Sequence, residues 1–309
     1  MRLAEEILFR LSRWRLRRGS ASAGRIEVTK DAARYAQWRD EELRQQIEEG
    51  FPCGELSGKQ VLDFGCGEGT LAFYLSSRFG TAGVVGLDIA PTAIDSAQKR
   101  LEREGAQSIS FRLAREPTKI DCANASIDII CAFDTVEHVV YPKEILREWH
   151  RVLKPGGQVW IWWLPWRHPY GHHVTSLIPL PWVHLICSEK TLIAVAARIY
   201  DDPCYTPRVW DLDPATARKR PNKWLQGSDL SSWLNKLTLR EFMRVAGEAG
   251  FQCAISAHGI GESGRLRPIA WVARLPFLGE FFTSHYTAIL TEKADCQDNR
   301  PGRQGPERR

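Results

Sequence analysis

The sequence predicts a doubly wound α/β fold, a mostly parallel sheet with helices on both faces and a helical insertion after its fifth strand. Three observations predict it. From Lys59 onward, short apolar runs alternate with segments of helical spacing, which implies βαβ units. A glycine-rich turn, Gly65-Cys66-Gly67-Glu68-Gly69, joins the first apolar run to the first of these helices. The alternation then stops between about Leu164 and Asn235, a stretch rich in Pro, Trp and His that is too long for a bare loop.

Taken in order, residues 1–18 read as a basic amphipathic helix with Leu3, Ile7, Leu8, Leu11 and Trp14 on one side. Two readings stay open for it, a membrane-surface helix and a helix packed on the domain by its apolar stripe. Gly19 to Gly24 is a small-residue linker, and a second amphipathic segment covers Ala32 to Glu49. The strands follow at Gln60–Phe64, Val84–Ile89, Ile109–Leu113, Ile127–Phe133 and Gln158–Trp163. Between them lie helices at Thr70–Arg78, Pro91–Gly105 and Pro142–Leu153, the latter two opening on proline. Leu237–Gly250 is a helix with Thr238 and Glu241 as a capping box, and Phe251–Ala257 and His285–Thr291 close the sheet. The expected division is 1–50 for N-terminal helices and linker, 51–164 for the core, and 165–236 for a helical insertion covering the substrate side. Residues 237–293 complete the fold, and 294–309 form a disordered basic tail.

Composition bounds the function. The chain has 309 residues, 43% hydrophobic and 26% charged, which suits a folded globular protein. Its net charge of +5 sits largely at the two ends, so no basic stripe on the body points to nucleic acid. Eight scattered cysteines form no CxxC pair or zinc clip, and a reducing cytosol suits them. No apolar run approaches the roughly 20 residues that span a bilayer, and no secretory leader is visible.

The chemistry concentrates in Val61-Leu62-Asp63-Phe64-Gly65-Cys66-Gly67-Glu68-Gly69-Thr70. The dinucleotide fingerprint G-x-G-x-x-G would put its third glycine at position 70, where Thr70 stands; here it comes one residue early. A G-x-G-x-G turn preceded by Asp63 suits a ligand whose amino-acid portion lies over the turn, with Asp63 helping to hold an ammonium. Asp88 ends the next strand in Val85-Gly86-Leu87-Asp88-Ile89, about 20 residues beyond the turn, where a carboxylate meets both ribose hydroxyls.

At this point the chain resembles the class I S-adenosylmethionine-dependent methyltransferases, in particular the small-molecule enzymes with a compact methyltransferase domain. The likeness covers about residues 59–164 and continues weakly through the closing strands. Ser126-Ile127-Asp128-Ile129-Ile130, Asp134-Thr135-Val136-Glu137-His138-Val139 and Arg151-Val152-Leu153-Lys154-Pro155-Gly156-Gly157 extend it. The resemblance implies a Rossmann-like seven-stranded sheet and S-adenosyl-L-methionine as cosubstrate. It further implies that Asp63, Gly65, Gly67, Gly69, Asp88, Ile89 and Asp134 hold that cosubstrate. The family's usual Gly-Asp-Ala after the third strand is replaced by Ala114-Arg115-Glu116-Pro117, where Glu116 aligns best with the adenine-binding acid.

The implied reaction is in-line methyl transfer to a small-molecule or lipid-linked acceptor, at oxygen or nitrogen more than carbon, with a general base where the acceptor must lose a proton. His138 is the first candidate near the transferred methyl, although a Glu-His pair at this point can also be purely structural. His172 and His173, beside Gly171, are candidates for base or acceptor contact, with structural hydrogen bonding the alternative. No metal is assigned, because adjacent histidines diverge and no matching carboxylate cluster is visible. The Gly-His-His, Pro181–His184 and Leu234–Thr238 stretches look similar to an insertion in bacterial methyltransferases. Trp166 and Trp182 fall in this loose region as pocket candidates. Ile269–Phe282 suits a lid, a dimer face or a membrane-touching segment. Rival readings are a non-catalytic S-adenosylmethionine-binding module and a peripheral membrane scaffold resting on residues 1–18.

Overall fold

A computed structural model of the chain describes residues 2–18, 29–213, 216–227, 229–260 and 278–293, with Val272 and Leu275 described singly. Seven strands form one sheet in the order β3-β2-β1-β4-β5-β7-β6. They are β1 (Gln60–Phe64), β2 (Gly83–Asp88), β3 (Ile109–Leu113), β4 (Ile127–Phe133), β5 (Leu153–Trp163), β6 (Phe251–Gly259) and β7 (Thr283–Glu292). β1 to β5 pair in parallel, whereas β7 runs antiparallel to both β5 and β6. The mostly parallel seven-stranded sheet is therefore as the sequence predicts.

Central strands read as nearly continuous apolar runs because both faces are covered by helices. Successive residues serve opposite sides of the sheet. Leu62, Ile130 and Ile161 join one core, with Trp149, Trp163 and Phe242, while Val61, Ile129, Cys131 and Trp160 join the other, with Leu75 and Phe73. Around the sheet stand α1 (Arg2–Arg18), α2 (Ala32–Gly50), α3 (Thr70–Phe79), α4 (Pro91–Glu104) and α5 (Pro142–Val152). They are followed by α6 (Val183–Ile186), α7 (Glu189–Tyr200), α8 (Leu239–Glu248) and α9 (Gly279–Phe282). α4 and α5 start on proline, and α4 stops at left-handed Gly105, whose N–H reaches the Leu101 carbonyl. In α8 the Thr238 hydroxyl accepts from the Glu241 N–H while the Glu241 carboxylate accepts from the Thr238 N–H, the reciprocal cap expected from the sequence.

Boundaries differ in two places. Lys154-Pro155-Gly156-Gly157 does not close a helix ahead of β5 but lies inside the strand. The register against β4 slips there from Leu153 to Gln158, so the extra residues are absorbed as a bulge. Both closing strands are longer than predicted, since each pairs along its whole length with the other.

Between β5 and α8 the chain builds a third core, with Val174, Ile178, Val195, Ile199 and Leu234 buried together. α1 docks on this insertion. Leu8 and Ser12 are buried, and Arg13 pairs with Asp202 at 3.0 Å and Arg198 with Glu6 at 2.9 Å. The single apolar side expected of α1 is in fact two stripes. Adjacent helical residues point about 100° apart, so Leu8 turns inward while Leu3, Ile7, Leu11 and Trp14 remain exposed. The linker and the basic tail lie outside the described residues, as does half of Ile269–Phe282. Of the tryptophans, Trp160 and Trp163 are core. Trp166 packs against the insertion core, and Trp182 donates to the Phe281 carbonyl at 3.2 Å.

Phe242 is buried against Trp163, with ring centroids 4.8 Å apart, while its neighbour Met243 faces solvent. Chemical denaturation should therefore show Phe242→Ala losing about 3–5 kcal/mol, and Met243→Ala staying within about 0.5 kcal/mol of wild type.

Candidate functional site

The site forms where strand order reverses, at the carboxyl ends of β1 and β4. β1 leaves the sheet into a turn whose three glycines all have left-handed backbones, with φ of 78°, 52° and 83° at Gly65, Gly67 and Gly69. Two of them are demanded by packing. A Cβ on Gly65 would run into the Thr135 side chain, and one on Gly69 into the Phe111 ring. A Cβ on Gly67 would meet nothing within 4 Å, so the backbone there borders open space.

Asp88, at the end of β2, locks this turn. One carboxylate oxygen accepts the Gly67 N–H at 2.8 Å and the other the Ala90 N–H at 2.8 Å. Its neighbour Ile89 is 71% exposed, an apolar side chain presented to solvent beside the acid. Behind the turn, Asp63 is buried. It receives the Ala72 N–H at the start of α3, while its Oδ2 has no partner. Burial pushes its carboxyl up to about 7, helped by repulsion from Asp88. An orphaned buried carboxylate oxygen beside a cradle free of any Cβ fits a ligand that carries a cationic ammonium next to its carboxylate.

Asp134 follows β4 in a left-handed conformation, φ 50°. Its carboxylate is held by Arg39 of α2 at 2.7 Å and approached by the Gln46 amide at 3.4 Å. Arg39 also binds Glu42 at 2.7 Å, and its two acids push its pKa upward. Neither Arg39 nor Gln46 is singled out by the sequence, because α2 carries no motif and the partnership spans 95 residues for Arg39. Glu116 is exposed and paired with Lys119 at 3.0 Å. It would have to leave that pair to serve an adenine.

The three candidate histidines separate. His172 is fully buried, its Nδ1 accepting the Val174 N–H at 3.2 Å and its Nε2 lying 3.3 Å from the Leu180 carbonyl. Both ring nitrogens thus serve the insertion's backbone, and the structure does not bring His172 to the site as a base. His138 and His173 do meet, their rings edge to face with centroids 5.0 Å apart. The His138 Nδ1 lies 3.1 Å from the Trp233 carbonyl and its ring stacks on the Trp233 indole. Desolvation lowers both imidazoles below the ordinary histidine range, His173 to about 3, with His138 the more exposed of the two. Glu137, between Asp134 and His138, is buried with neither carboxylate oxygen hydrogen-bonded. A buried carboxylate therefore stands with His138 and His173, a grouping that spacing alone did not bring together.

Asn235, also missed as a site residue, pins this turn from the insertion. Its amide donates to the carbonyls of Val136 at 2.6 Å and Val139 at 3.1 Å, and its backbone N–H donates to the backbone carbonyl of Glu137 at 2.9 Å.

A seven-stranded sheet of this order, with a glycine turn after β1 and a locking acid after β2, is the Rossmann-like fold found in S-adenosylmethionine-dependent methyltransferases. Comparison with known proteins agrees: residues 61–157 match the model of the methyltransferase domain family. A ubiquinone biosynthesis O-methyltransferase of Pseudomonas syringae is 34% identical over 104 residues, 34% of this chain and 44% of that protein. One of Neisseria meningitidis is 32% identical over 139 residues, covering 45% of this chain and 53% of that protein. The chain thus spans about half the length of these curated relatives. A phosphoethanolamine N-methyltransferase of Haemonchus contortus, solved with phosphomonomethylethanolamine and S-adenosylhomocysteine, shares the fold. It has a TM-score of 0.50 at 15% identity, covering 82% of this chain and 52% of that one.

The glycines are separable by experiment. Gly67→Ala meets no neighbour and should cost only the left-handed backbone strain of about 1–2 kcal/mol. Gly69→Ala adds a collision with Phe111. Thermal unfolding should show Gly69→Ala with clearly the lower midpoint; equal midpoints would contradict the packing described for Phe111.

Proposed function

We propose that this protein transfers a methyl group from S-adenosylmethionine to a hydroxyl of a small, lipid-linked acceptor. The observation that carries the proposal is the open backbone at Gly67, locked by Asp88 and backed by the unpartnered oxygen of buried Asp63. Oxygen is favoured over nitrogen as the methylated atom because the matched relatives are O-methyltransferases.

In this reading Asp63 faces the cosubstrate's ammonium, the Gly65–Gly69 backbone lies against its amino-acid portion, Asp88 takes the ribose hydroxyls and Ile89 covers an adenine face. Asp134, fixed by Arg39, borders the same cradle. Glu116 has no part in the cradle while its pair with Lys119 persists. Bound there, the cosubstrate supplies an electrophilic methyl on a sulfonium. The chain's own task is to position the acceptor oxygen in line and to receive its proton. His138 and His173 stand on the acceptor side to position that oxygen; desolvation, which holds His173 at about 3, makes them weak bases.

The lipid-linked acceptor is supported by α1. Leu3, Ile7, Leu11 and Trp14 form an exposed apolar stripe, and Arg10, Arg15, Arg17 and Arg18 lie on the same helix. An amphipathic helix of this kind lies in the interface of an anionic bilayer. Among the described residues, no helix is long and apolar enough to cross one.

Calorimetric titration of S-adenosylmethionine tests the cradle. Binding near micromolar affinity, weakened at least about tenfold (~1.4 kcal/mol) by Asp88→Ala, is expected; no binding by folded wild type would refute the reading. Asp63 adds a pH signature. Its free carboxyl is protonated below about pH 7, while the bound ammonium favours the carboxylate. Binding therefore releases a proton below that pH, and affinity rises as pH climbs towards 7, by at most about tenfold per unit. Asp63→Asn should abolish this dependence.

For the lipid contact, wild type should co-sediment with phosphatidylglycerol vesicles and not with neutral ones, and the exposed substitutions Ile7→Glu and Leu11→Glu together should release it. Vesicle binding that survives both substitutions would exclude α1 as the contact.

A further inference from the structure

We propose that Glu137, His138 and His173 form a binding site for one divalent transition-metal ion of the zinc class, with an open coordination position facing the acceptor. One carboxylate oxygen and one nitrogen from each histidine lie within 4.8 Å of one another. The three come from two separate segments. The short turn Val136–His138 after β4 supplies two, and the loop after β5 supplies His173, held at a left-handed φ of 54°.

Each donor is prepared in a way that packing alone leaves unexplained. Glu137 is 5% exposed, and neither of its oxygens accepts a hydrogen bond. Burying an ionised carboxylate without a partner costs several kcal/mol. The nearby cation, Arg39, makes its direct contacts to Asp134 and Glu42 instead.

His138 has the complementary arrangement. With its Nδ1 at 3.1 Å from the Trp233 carbonyl, which can only accept, the proton resides on Nδ1 and the Nε2 lone pair is free. Histidines that bind metals are oriented in this way by a carbonyl or carboxylate on the other nitrogen. Trp233 also stacks on the ring and fixes its plane. The His173 ring meets the His138 ring edge to face and makes no hydrogen bond among the described residues. Metal ligation takes neutral imidazoles and a carboxylate.

Two imidazole nitrogens and one carboxylate oxygen are a borderline donor set that suits Zn2+ or Fe2+ better than Ca2+ or Mg2+. Three protein ligands leave a fourth position open, as in zinc sites that act on a bound oxygen. The use of that position rests on the methyl-transfer reading above; the metal site itself does not. A hydroxyl bound there loses its proton to water at lower pH than a free one. Its oxygen then forms the bond to the methyl carbon as the carbon–sulfur bond breaks and the electron pair returns to sulfur. Substrate, proton and charge are all accounted for without a further reactant.

The test uses the full chain, stripped with a chelator and dialysed, then titrated with Zn2+ and with Co2+ as a spectroscopic probe. One equivalent should bind, with the visible absorption of low-symmetry Co2+. The near-isosteric Glu137→Gln, and separately His173→Ala, should weaken binding at least about tenfold, while exposed His150→Ala should leave it unchanged. Wild type that binds S-adenosylmethionine but takes up no stoichiometric metal would overturn the metal site and leave the methyltransferase reading standing. So would stoichiometric uptake undiminished by both site substitutions, since the ion would then lie elsewhere. Uptake abolished by Glu137→Gln in protein that fails to bind S-adenosylmethionine would support the metal site and remove only its proposed use.

Discussion

Neighbouring strands β1 and β4 receive their chains from opposite directions across the sheet, and everything functional depends on the gap this opens. The turn after β1 goes one way, over α3, and the turn after β4 goes the other. At their carboxyl ends, no connection can cover the space between them. Thr135 from one turn packs against Gly65 of the other, and this contact sets how closely the two can approach. The gap therefore has a fixed width, with a glycine backbone on one wall and the Asp134–His138 segment on the other.

That geometry explains why two buried carboxylates with unpartnered oxygens lie at this point among the described residues. Asp63 and Glu137 are both buried and both keep carboxylate oxygens without partners. A core optimised for stability alone would replace them, since burying a charge costs more than a few packing contacts return. Each instead sits directly behind one wall of the gap, where an arriving cation would relieve it. The two acids differ in what could relieve them. Asp63 leaves one oxygen, Oδ2, unpartnered and needs a single donor there. Glu137 leaves both oxygens unpartnered and stands with two imidazoles, which suits an ion better than an ammonium. Arg39, the strong cation nearby, is positioned to hold Asp134 and so keeps the two acidic sites distinct.

How much of this was legible depends on whether the signal is local. The strand–turn–helix units were, because burial on both faces leaves apolar runs and because proline and glycine mark helix ends. Asp88 was legible through its spacing from the glycine turn, and the capping box of α8 through residues three apart. Partnerships across the chain were not. Nothing near Arg39 indicates that it meets Asp134, and Asn235 reaches Val136 from 99 residues away. His172 and His173 are neighbours in sequence but belong to different networks. The left-handed backbone at His173 turns its ring to His138 while His172 remains tied to Val174 and Leu180. Sequence alone also could not divide the apolar residues of α1 into a buried and an exposed stripe, since that division depends on where α7 lies.

The insertion links the two ends of the site. Its core takes in Leu8 of α1, and its last residues, Trp233 and Asn235, hold the turn that carries Glu137 and His138. Glu189, at the start of α7, accepts from Lys236 at 2.6 Å, so the helix on which α1 docks is also joined to the segment that positions the histidine. Helix α1, proposed above to meet a membrane surface, and the turn that carries Glu137 and His138 are therefore parts of one packed body. For the lipid-linked acceptor proposed above, such a connection would bring the mouth of the site near the lipid without a long flexible tether. It also means that α1 cannot be judged by deletion, because removing it would strip Leu8 from the insertion core and loosen Trp233 and Asn235. Only substitutions on its exposed stripe separate its surface role from its structural one.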